Sequence, residues 1–141
     1  MEQIGTFILN HWLLFLALVL ILALLLASVV KDRLLGFSEI KPMEAVELMN
    51  HQNAVVLDVR DPAEFSAGHI LNAINVPLAA LEDRSGELDP YRTRSVIVYC
   101  RTGPRAARAG ALLRKKGFTA ISKLSGGIMA WESAGLPLSK P

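Results

Sequence analysis

A long uncharged stretch, from Trp12 to Val30, constrains this chain of 141 residues more than any other feature of its sequence. As a helix, about twenty apolar residues are long enough to cross the hydrocarbon layer of a bilayer, which is about 30 Å thick. Apolar residues just upstream extend the stretch. We therefore predict a transmembrane helix over residues 8–30, preceded by a short tail over residues 1–7.

A cleaved secretory signal is the competing interpretation of this segment. Such signals have a basic leading region, a shorter apolar core and a cleavage site between small residues. The chain opens with Met1 and Glu2, and no Lys or Arg precedes the apolar stretch. The pattern therefore favours a helix that stays in the membrane.

The basic residues are all on one side of the apolar stretch, beginning with Lys31 and Arg33. Because basic flanks remain on the cytoplasmic side, we expect a single-pass protein of the plasma membrane, which is the inner membrane in a bacterium. Its N-terminus would lie outside and the following domain in the cytoplasm. The single cysteine agrees with a reducing compartment, since it cannot form an intramolecular disulfide.

The remainder of the chain is predicted to be one α/β domain over residues 38–137, between a connector (31–37) and a C-terminal tail (138–141). Short apolar runs at 54–59, 73–76, 95–99 and 120–124 predict buried strands, and helices are predicted to begin at Pro42, Leu78 and Pro104. Strands that are apolar on both faces and alternate with helices indicate a mostly parallel sheet covered on both sides. Acidic and basic residues nearly balance here, so nothing indicates nucleic-acid binding.

The only cysteine, Cys100, lies where the run 95–99 ends and the loop Cys100-Arg-Thr-Gly-Pro-Arg105 opens an alanine-rich helix. A helix N-terminus, loop N–H groups and neighbouring guanidiniums all stabilise a thiolate. Free cysteines are more often inert and buried. Here, however, the carboxyl end of a strand, the loop and the helix start coincide, so we interpret Cys100 as a nucleophile toward sulfur. Arg101 and Arg105, which flank it, are predicted to form an anion clamp.

Pro104 reduces the number of donors in this loop because proline has no N–H group. The amides of Thr102, Gly103, Arg105 and Ala106 remain available. We therefore expect the anion cradle to persist, with weaker affinity for a small dianion such as thiosulfate.

The loop is similar to the active-site loop of the rhodanese family of sulfurtransferases, and the resemblance extends from about Phe37 to Pro137. Four further segments follow the pattern of that family in the same order: Asp58-Val-Arg60 with Glu64-Phe65, Gly68-His69-Ile70, Asn75-Val76-Pro77, and Leu124-Ser-Gly126-Gly127 with Trp131 and Gly135-Leu-Pro137. The resemblance implies a five-stranded parallel sheet flanked by helices on both faces.

The resemblance also implies a chemistry. Cys100 would take a sulfane sulfur from a small anionic donor, thiosulfate or a persulfide, and pass it to an external thiol, cyanide or a protein acceptor. The donor-binding residues that it implies are Arg101, Thr102, Gly103, Arg105 and Ala106. It implies no metal and no organic cofactor. Because the chain has no second thiol, we expect the acceptor to come from outside.

Asp58 and Arg60 are expected to support the site as a mutually satisfied pair that orders the adjoining loop. His69 has no partner that spacing identifies, and we interpret it as architectural. Trp131, Phe65 and Phe118 are predicted to lie in the core, and Gly126-Gly127 to form a tight turn before the last helix.

Two rival functions remain open. Phosphatases and arsenate reductases of the related fold resemble Cys-x5-Arg, usually with His before the cysteine. Here Arg105 completes Cys-x4-Arg, Tyr99 precedes the cysteine, and Ala106 stands at the longer spacing, so the loop favours sulfur chemistry. The membrane anchor motivates the other rival, a tethered module that binds a protein partner and keeps only slow rhodanese chemistry.

Overall fold

The computed structural model describes the backbone of the whole chain and every side chain except those of residues 31–33 and 35. The chain divides into two compact units, Met1–Leu34 and Leu35–Pro141. The first unit contains α1 (Glu2–Asn10) and most of α2 (Trp12–Leu35). Within α2, the segment Trp12–Val30 is long and apolar enough to cross a membrane. Helix α2 continues through most of the segment for which the sequence predicts a connector.

The second unit is built on a five-stranded sheet in which all neighbours are parallel. Its strands are β1 (Ser38–Ile40), β2 (Val55–Asp58), β3 (Ile74–Asn75), β4 (Ser95–Tyr99) and β5 (Ala120–Leu124). Their order across the sheet is β1-β5-β4-β2-β3. The expected five-stranded parallel sheet is thus confirmed, with β4 at its centre.

Helices cover both faces of this sheet, which also agrees with the expectation. They are α3 (Pro42–His51), α4 (Pro62–Ala67), α5 (Leu78–Arg84), α6 (Pro104–Lys115) and α7 (Gly127–Ser133), with a 3-10 helix at Ser85–Tyr91. Side chains of α5 and α6 pack in one apolar cluster with Val96 and Val98 of β4. Those of α3 and α7 pack in a second cluster with Ile97 and Tyr99, on the opposite face.

The pattern of apolar residues did not predict β1 or α4. Strand β1 is an edge strand of three residues, of which Ser38 and Glu39 are exposed, so it lacks the apolar run of a buried strand. Helix α4 is a short helix of six residues stabilised by a capping box between Asp61 and Glu64. Neither element has a periodic apolar pattern. Strand β1 is stabilised by pairing with its neighbour in the sheet, and α4 is stabilised by its N-terminal cap.

The connections place a crevice at the carboxyl edge of the sheet. The chain leaves β2 toward β3 on one side of the sheet and leaves β4 toward β5 on the other. The segments that follow β2 and β4 therefore diverge, and such a switch point is where open α/β sheets bind their ligands. Helix α4 and the loop containing Cys100 border this crevice.

Candidate active site

The loop after β4 wraps around the sulfur of Cys100. Strand β4 ends in four buried residues, and Cys100 follows directly at its carboxyl end. Gly103 is the N-cap of α6 and has a φ of +148°, a conformation that favours glycine. From this position its N–H group donates a hydrogen bond to Cys100 Sγ at 3.0 Å. The turn is therefore shaped to point a backbone donor at the thiol.

Four other amides of the loop and of the first turn of α6 have no carbonyl acceptor among the described residues. They belong to Arg101, Thr102, Arg105 and Ala106. The first N–H groups of a helix lack partners within the helix, and here the regular pattern resumes only where Ala107 N–H donates to the Gly103 carbonyl at 3.0 Å. The loop consequently offers several donors to an anion.

The start of α7 supports the loop from behind. The N–H groups of Ile128 and Met129 donate to the carbonyls of Cys100 and Arg101 at 2.9 and 3.2 Å. Gly127 has a φ of +58°, and a Cβ at this position would lie 2.5 Å from both of those carbonyl oxygens. Only glycine allows this close approach, so the turn before α7 holds the backbone of the Cys100 loop in place.

Arg105 lies against Glu64 of α4. Its Nη1 and Nη2 donate to the two carboxylate oxygens of Glu64 at 2.8 and 3.0 Å. The hydrogen bond from Arg105, assisted by the Asp61 N–H group, lowers the pKa of Glu64 to about 2. In return the Glu64 carboxylate raises the pKa of Arg105, and the nearby Cys100 raises it further. The predicted second arm of the anion clamp is therefore already paired with a carboxylate.

Cys100 itself is 1% exposed and belongs to the apolar cluster beneath α6, together with Val59 and Ala106. Arg101 and Thr102, in contrast, are exposed. Arg101 lines a cavity of about 260 Å³ that Glu64 also lines. The structure thus brings Gly103 and Ala106 close around the cysteine, whereas the Arg105 side chain is engaged by Glu64.

Asp58 and Arg60 form a buried ion pair at the end of β2. Arg60 Nη2 lies 2.7 Å from Asp58 Oδ2 and also donates to the Gly68 carbonyl at 2.8 Å. The side-chain amide of Asn75 donates to the carbonyls of both residues, at 3.1 and 2.9 Å. These contacts tie the segment after β2 to the turn after α4, on the other side of the crevice from Cys100.

The remaining residues of the family pattern have structural contacts. His69 Nδ1 lies 2.9 Å from the Phe65 carbonyl, and its ring stacks on that of Phe65 with centroids 3.7 Å apart. Trp131 Nε1 donates to the Pro137 carbonyl at 3.0 Å. Trp131 and Phe118 are each 4% exposed, as expected for the core, whereas Phe65 is partly exposed.

Sequence reasoning missed Lys123 of β5, which lies beside the loop. A Cβ built on Gly103 would be 3.7 Å from Lys123 Nζ. The Lys123 side chain is 19% exposed, and the nearest carboxylate oxygen among the described side chains, from Glu39, is 3.7 Å away. The sequence did offer one signal. Lys123 is a charged residue between the apolar residues Ile121 and Leu124, one position before the carboxyl end of a predicted buried strand.

The fold and the site define a class of protein: a parallel α/β domain with a cysteine in an amide-lined loop at the switch point. Comparison with known families identifies it further: residues 41–134 match the family described as the Rhodanese-like domain. The chain belongs to the rhodanese-like domain family, as the motifs predicted.

Similar proteins include both named sulfurtransferases and uncharacterised proteins. A sulfurtransferase of Allochromatium vinosum is 35% identical over 94 residues, which cover 67% of this chain and 86% of that protein. The uncharacterised protein YibN of Escherichia coli is 31% identical over 139 residues, covering 98% of this chain and 97% of the relative. A rhodanese-related protein from Thermoplasma volcanium superposes with a TM-score of 0.66 and 32% identity, over 73% of this chain and 98% of that structure.

Proposed function

We propose that this protein is a membrane-anchored sulfurtransferase that carries sulfur as a persulfide on Cys100. Membership of the rhodanese-like family, together with relatives named sulfurtransferase, supports a sulfurtransferase-type function. The donor, the acceptor and the residues that act on them belong to the proposal.

The proposed reaction has two steps that regenerate the enzyme. The Cys100 thiolate attacks the outer sulfur of thiosulfate, a new S–S bond forms, and sulfite leaves with the electron pair of the broken S–S bond. An external thiolate or cyanide then attacks the terminal sulfur of the persulfide. A bond forms between the acceptor and the terminal sulfur, the S–S bond between that sulfur and Cys100 breaks, and Cys100 leaves as the thiolate.

The observation that carries the proposal is the hydrogen bond from Gly103 N–H to Cys100 Sγ, at 3.0 Å, in a loop with four further amides that lack carbonyl acceptors among the described residues. Such amides, fixed before the reaction begins, stabilise negative charge on the sulfur and on an anionic donor without reorganisation. The proposed donor-binding groups are those of Arg101, Thr102, Gly103, Arg105 and Ala106, with Asp58 and Arg60 supporting the opposite wall.

The proposed location is the plasma membrane, with α2 as a single-pass anchor and the domain in the cytoplasm. Trp12–Val30 has the length and composition of a spanning helix. The alignment with YibN extends over this segment, since it covers 98% of the chain. Lys31 and Arg33 follow this apolar segment, which favours the cytoplasmic side for the domain.

A second candidate function is a tethered binding module without rapid turnover. The observation that favours it is the burial of Cys100, which is 1% exposed, because a donor can reach this sulfur only when the loop moves. A domain that served only to dock a partner would not need such movement.

Mass spectrometry of the intact full-length protein tests the sulfurtransferase proposal. The protein in mild detergent is incubated with thiosulfate or with a small-molecule persulfide, and the matched control is Cys100→Ser. We expect one added sulfur atom on the wild type, none on C100S, and loss of that atom when cyanide is added. Absence of any added sulfur with both donors would refute the proposal.

Cellular complementation separates the two candidates. If the protein transfers sulfur, cells that carry only C100S should lose the function of the wild-type protein. A binding module should retain it, since the substitution leaves the surface unchanged. Hydrolysis of an aryl phosphate by the wild type, without sulfur loading, would instead favour the phosphatase alternative.

A further inference from the structure

We propose that Lys123 is a donor-binding residue of the Cys100 site and supplies positive charge in addition to that of Arg105, whose guanidinium is paired with Glu64. This inference rests on the proposed sulfurtransferase function, because it concerns how the same site recruits an anionic sulfur donor. It assigns a role to a residue of β5, outside the active-site loop.

The register of the sheet places Lys123 on the same face as Cys100. Strand β5 is the neighbour of β4, and Lys123 lies opposite Val98. Side chains two residues apart on a strand point to the same face, and Cys100 comes two residues after Val98. Val98 and Cys100 indeed pack in the same apolar cluster beneath α6. Lys123 is therefore the cationic side chain that β5 contributes on the cysteine side of the sheet.

The ammonium group reaches the loop itself. A Cβ added at Gly103 would lie 3.7 Å from Lys123 Nζ, so the ammonium borders the residue whose N–H donates to Cys100 Sγ. Because Gly103 has no side chain, nothing of that residue stands between its backbone and the ammonium. A cation at this distance from an amide-lined loop raises the positive potential in which an anion would bind.

The charges of Arg105 and Lys123 are compensated to different extents. Arg105 is bound by Glu64 through two short hydrogen bonds, at 2.8 and 3.0 Å. Among the described side chains, Lys123 has a single carboxylate contact at 3.7 Å, with Glu39, whose side chain is 51% exposed and thus well solvated. Solvent weakens that contact, so more of the Lys123 charge acts on the loop. The ligand class that this potential favours is an anionic sulfane-sulfur donor.

Because the chain has a single thiol, the electrostatic potential at Cys100 can be measured from the rate of its alkylation, without catalytic turnover. Iodoacetate is an anion and iodoacetamide is neutral, and both alkylate thiols, of which Cys100 is the only one in the chain, so its modification is followed by peptide mass spectrometry. Both reagents need the same opening of the loop, so the ratio of their rates reports the local charge. In the full-length protein at one pH, we expect Lys123→Gln to lower the ratio of the iodoacetate rate to the iodoacetamide rate about three- to tenfold.

Three variants separate a charge effect from a structural one. Lys123→Arg keeps the charge and should restore the ratio. Glu39→Gln removes the carboxylate that faces Lys123 and should raise the ratio or leave it unchanged. Lys115→Gln removes an exposed charge at the far end of α6, about 16 Å from its start, and should have no effect. A common fall with Lys123→Gln and Glu39→Gln, or no recovery with Lys123→Arg, would overturn the proposal.

Failure of the Lys123 proposal and failure of the proposed function give different results. If the ratio depends on Lys123 but no donor loads sulfur onto Cys100, Lys123 is a source of charge at the thiol, and its role in donor binding fails together with the proposed function. If sulfur loads normally and the ratio is the same in the wild type and Lys123→Gln, the function stands and the role of Lys123 is refuted.

Discussion

Arg105 and Glu64 form a two-point ion pair that connects α6 to α4 across the switch-point crevice, with N–O distances of 2.8 and 3.0 Å. Glu64 also accepts the Asp61 N–H group at 3.0 Å, which closes the capping box of α4. One carboxylate therefore holds both the start of α4 and the guanidinium of Arg105, the last residue of the active-site loop. Its loss should affect both stability and the charge of the site.

The contribution of Glu64 to stability should be present at neutral pH and lost at acid pH. Its pKa in the folded domain is about 2, against an ordinary value of 4.5. A lowered pKa adds stability above the unfolded value, and this contribution is lost as the pH falls from about 4.5 to about 2. Glu64→Gln should therefore destabilise the domain by about 1 kcal/mol at neutral pH and by nothing near pH 2. Chemical unfolding followed by near-ultraviolet circular dichroism measures both values.

Glu82→Gln is the control for this pH profile, because Glu82 is an exposed acidic residue on α5. It should leave the acid part of the profile as in the wild type. Equal stability of the wild type and Glu64→Gln at neutral pH would show that the ion pair contributes nothing to the fold.

The same substitution should improve the use of an anionic donor. Without the Glu64 carboxylate, the charge of Arg105 is no longer compensated beside Cys100, which is near enough to raise the pKa of Arg105. We expect the KM for thiosulfate to fall about threefold in Glu64→Gln, with a smaller change for a neutral donor. Steady-state sulfur transfer to cyanide measures both constants. A rise in KM would mean that Glu64 positions Arg105 for the donor instead of neutralising it.

Gly127→Ala should disrupt the loop. The Cβ of the alanine would lie 2.5 Å from the carbonyl oxygens of Cys100 and Arg101, and the backbone at Gly127 has a φ of +58°. The resulting clash and backbone strain should cost about 2 kcal/mol or more and should abolish sulfur loading of Cys100. Gly86→Ala is the matched control, since a Cβ there has no atom of the described structure within 4 Å. The thermal unfolding midpoint and the sulfur loading of Cys100, measured by intact mass, should be the same in that variant as in the wild type.

The buried Asp58–Arg60 pair should be far more sensitive than an exposed pair. Asp58→Ala leaves the Arg60 guanidinium, 7% exposed, without its carboxylate, which should destabilise the domain by about 3 kcal/mol. The exposed Arg84–Glu87 pair provides the comparison, because its side chains are 42% and 55% exposed. Glu87→Ala should leave the midpoint of unfolding unchanged. Similar losses in the free energy of unfolding in Asp58→Ala and Glu87→Ala would contradict the prediction that burial makes the Asp58–Arg60 pair more important.

Local sequence was sufficient to predict many of the helices and strands of this molecule. The uncharged stretch of α2 and the helix start at Pro104 are properties of neighbouring residues, so periodicity and end signals predicted them. The buried strands β2, β4 and β5 were predicted within a residue or two for the same reason. Strand β1 was missed by the apolar pattern because its pairing partner, β5, is more than eighty residues away in the chain.

The environment of the thiol was decided by the tertiary structure. Cys100, Gly103 and the free amides follow one another along the chain, so their convergence could be read from the sequence. Arg105, however, meets a carboxylate 41 residues away, and Lys123 reaches the loop only because β5 pairs with β4. Charges act through space, and which charges face a thiol depends on strand order and register. The sequence by itself therefore determined the family, the anchor-like helix and the position of the thiol, whereas only the folded sheet decided which cations lie beside it and how far carboxylates compensate their charges.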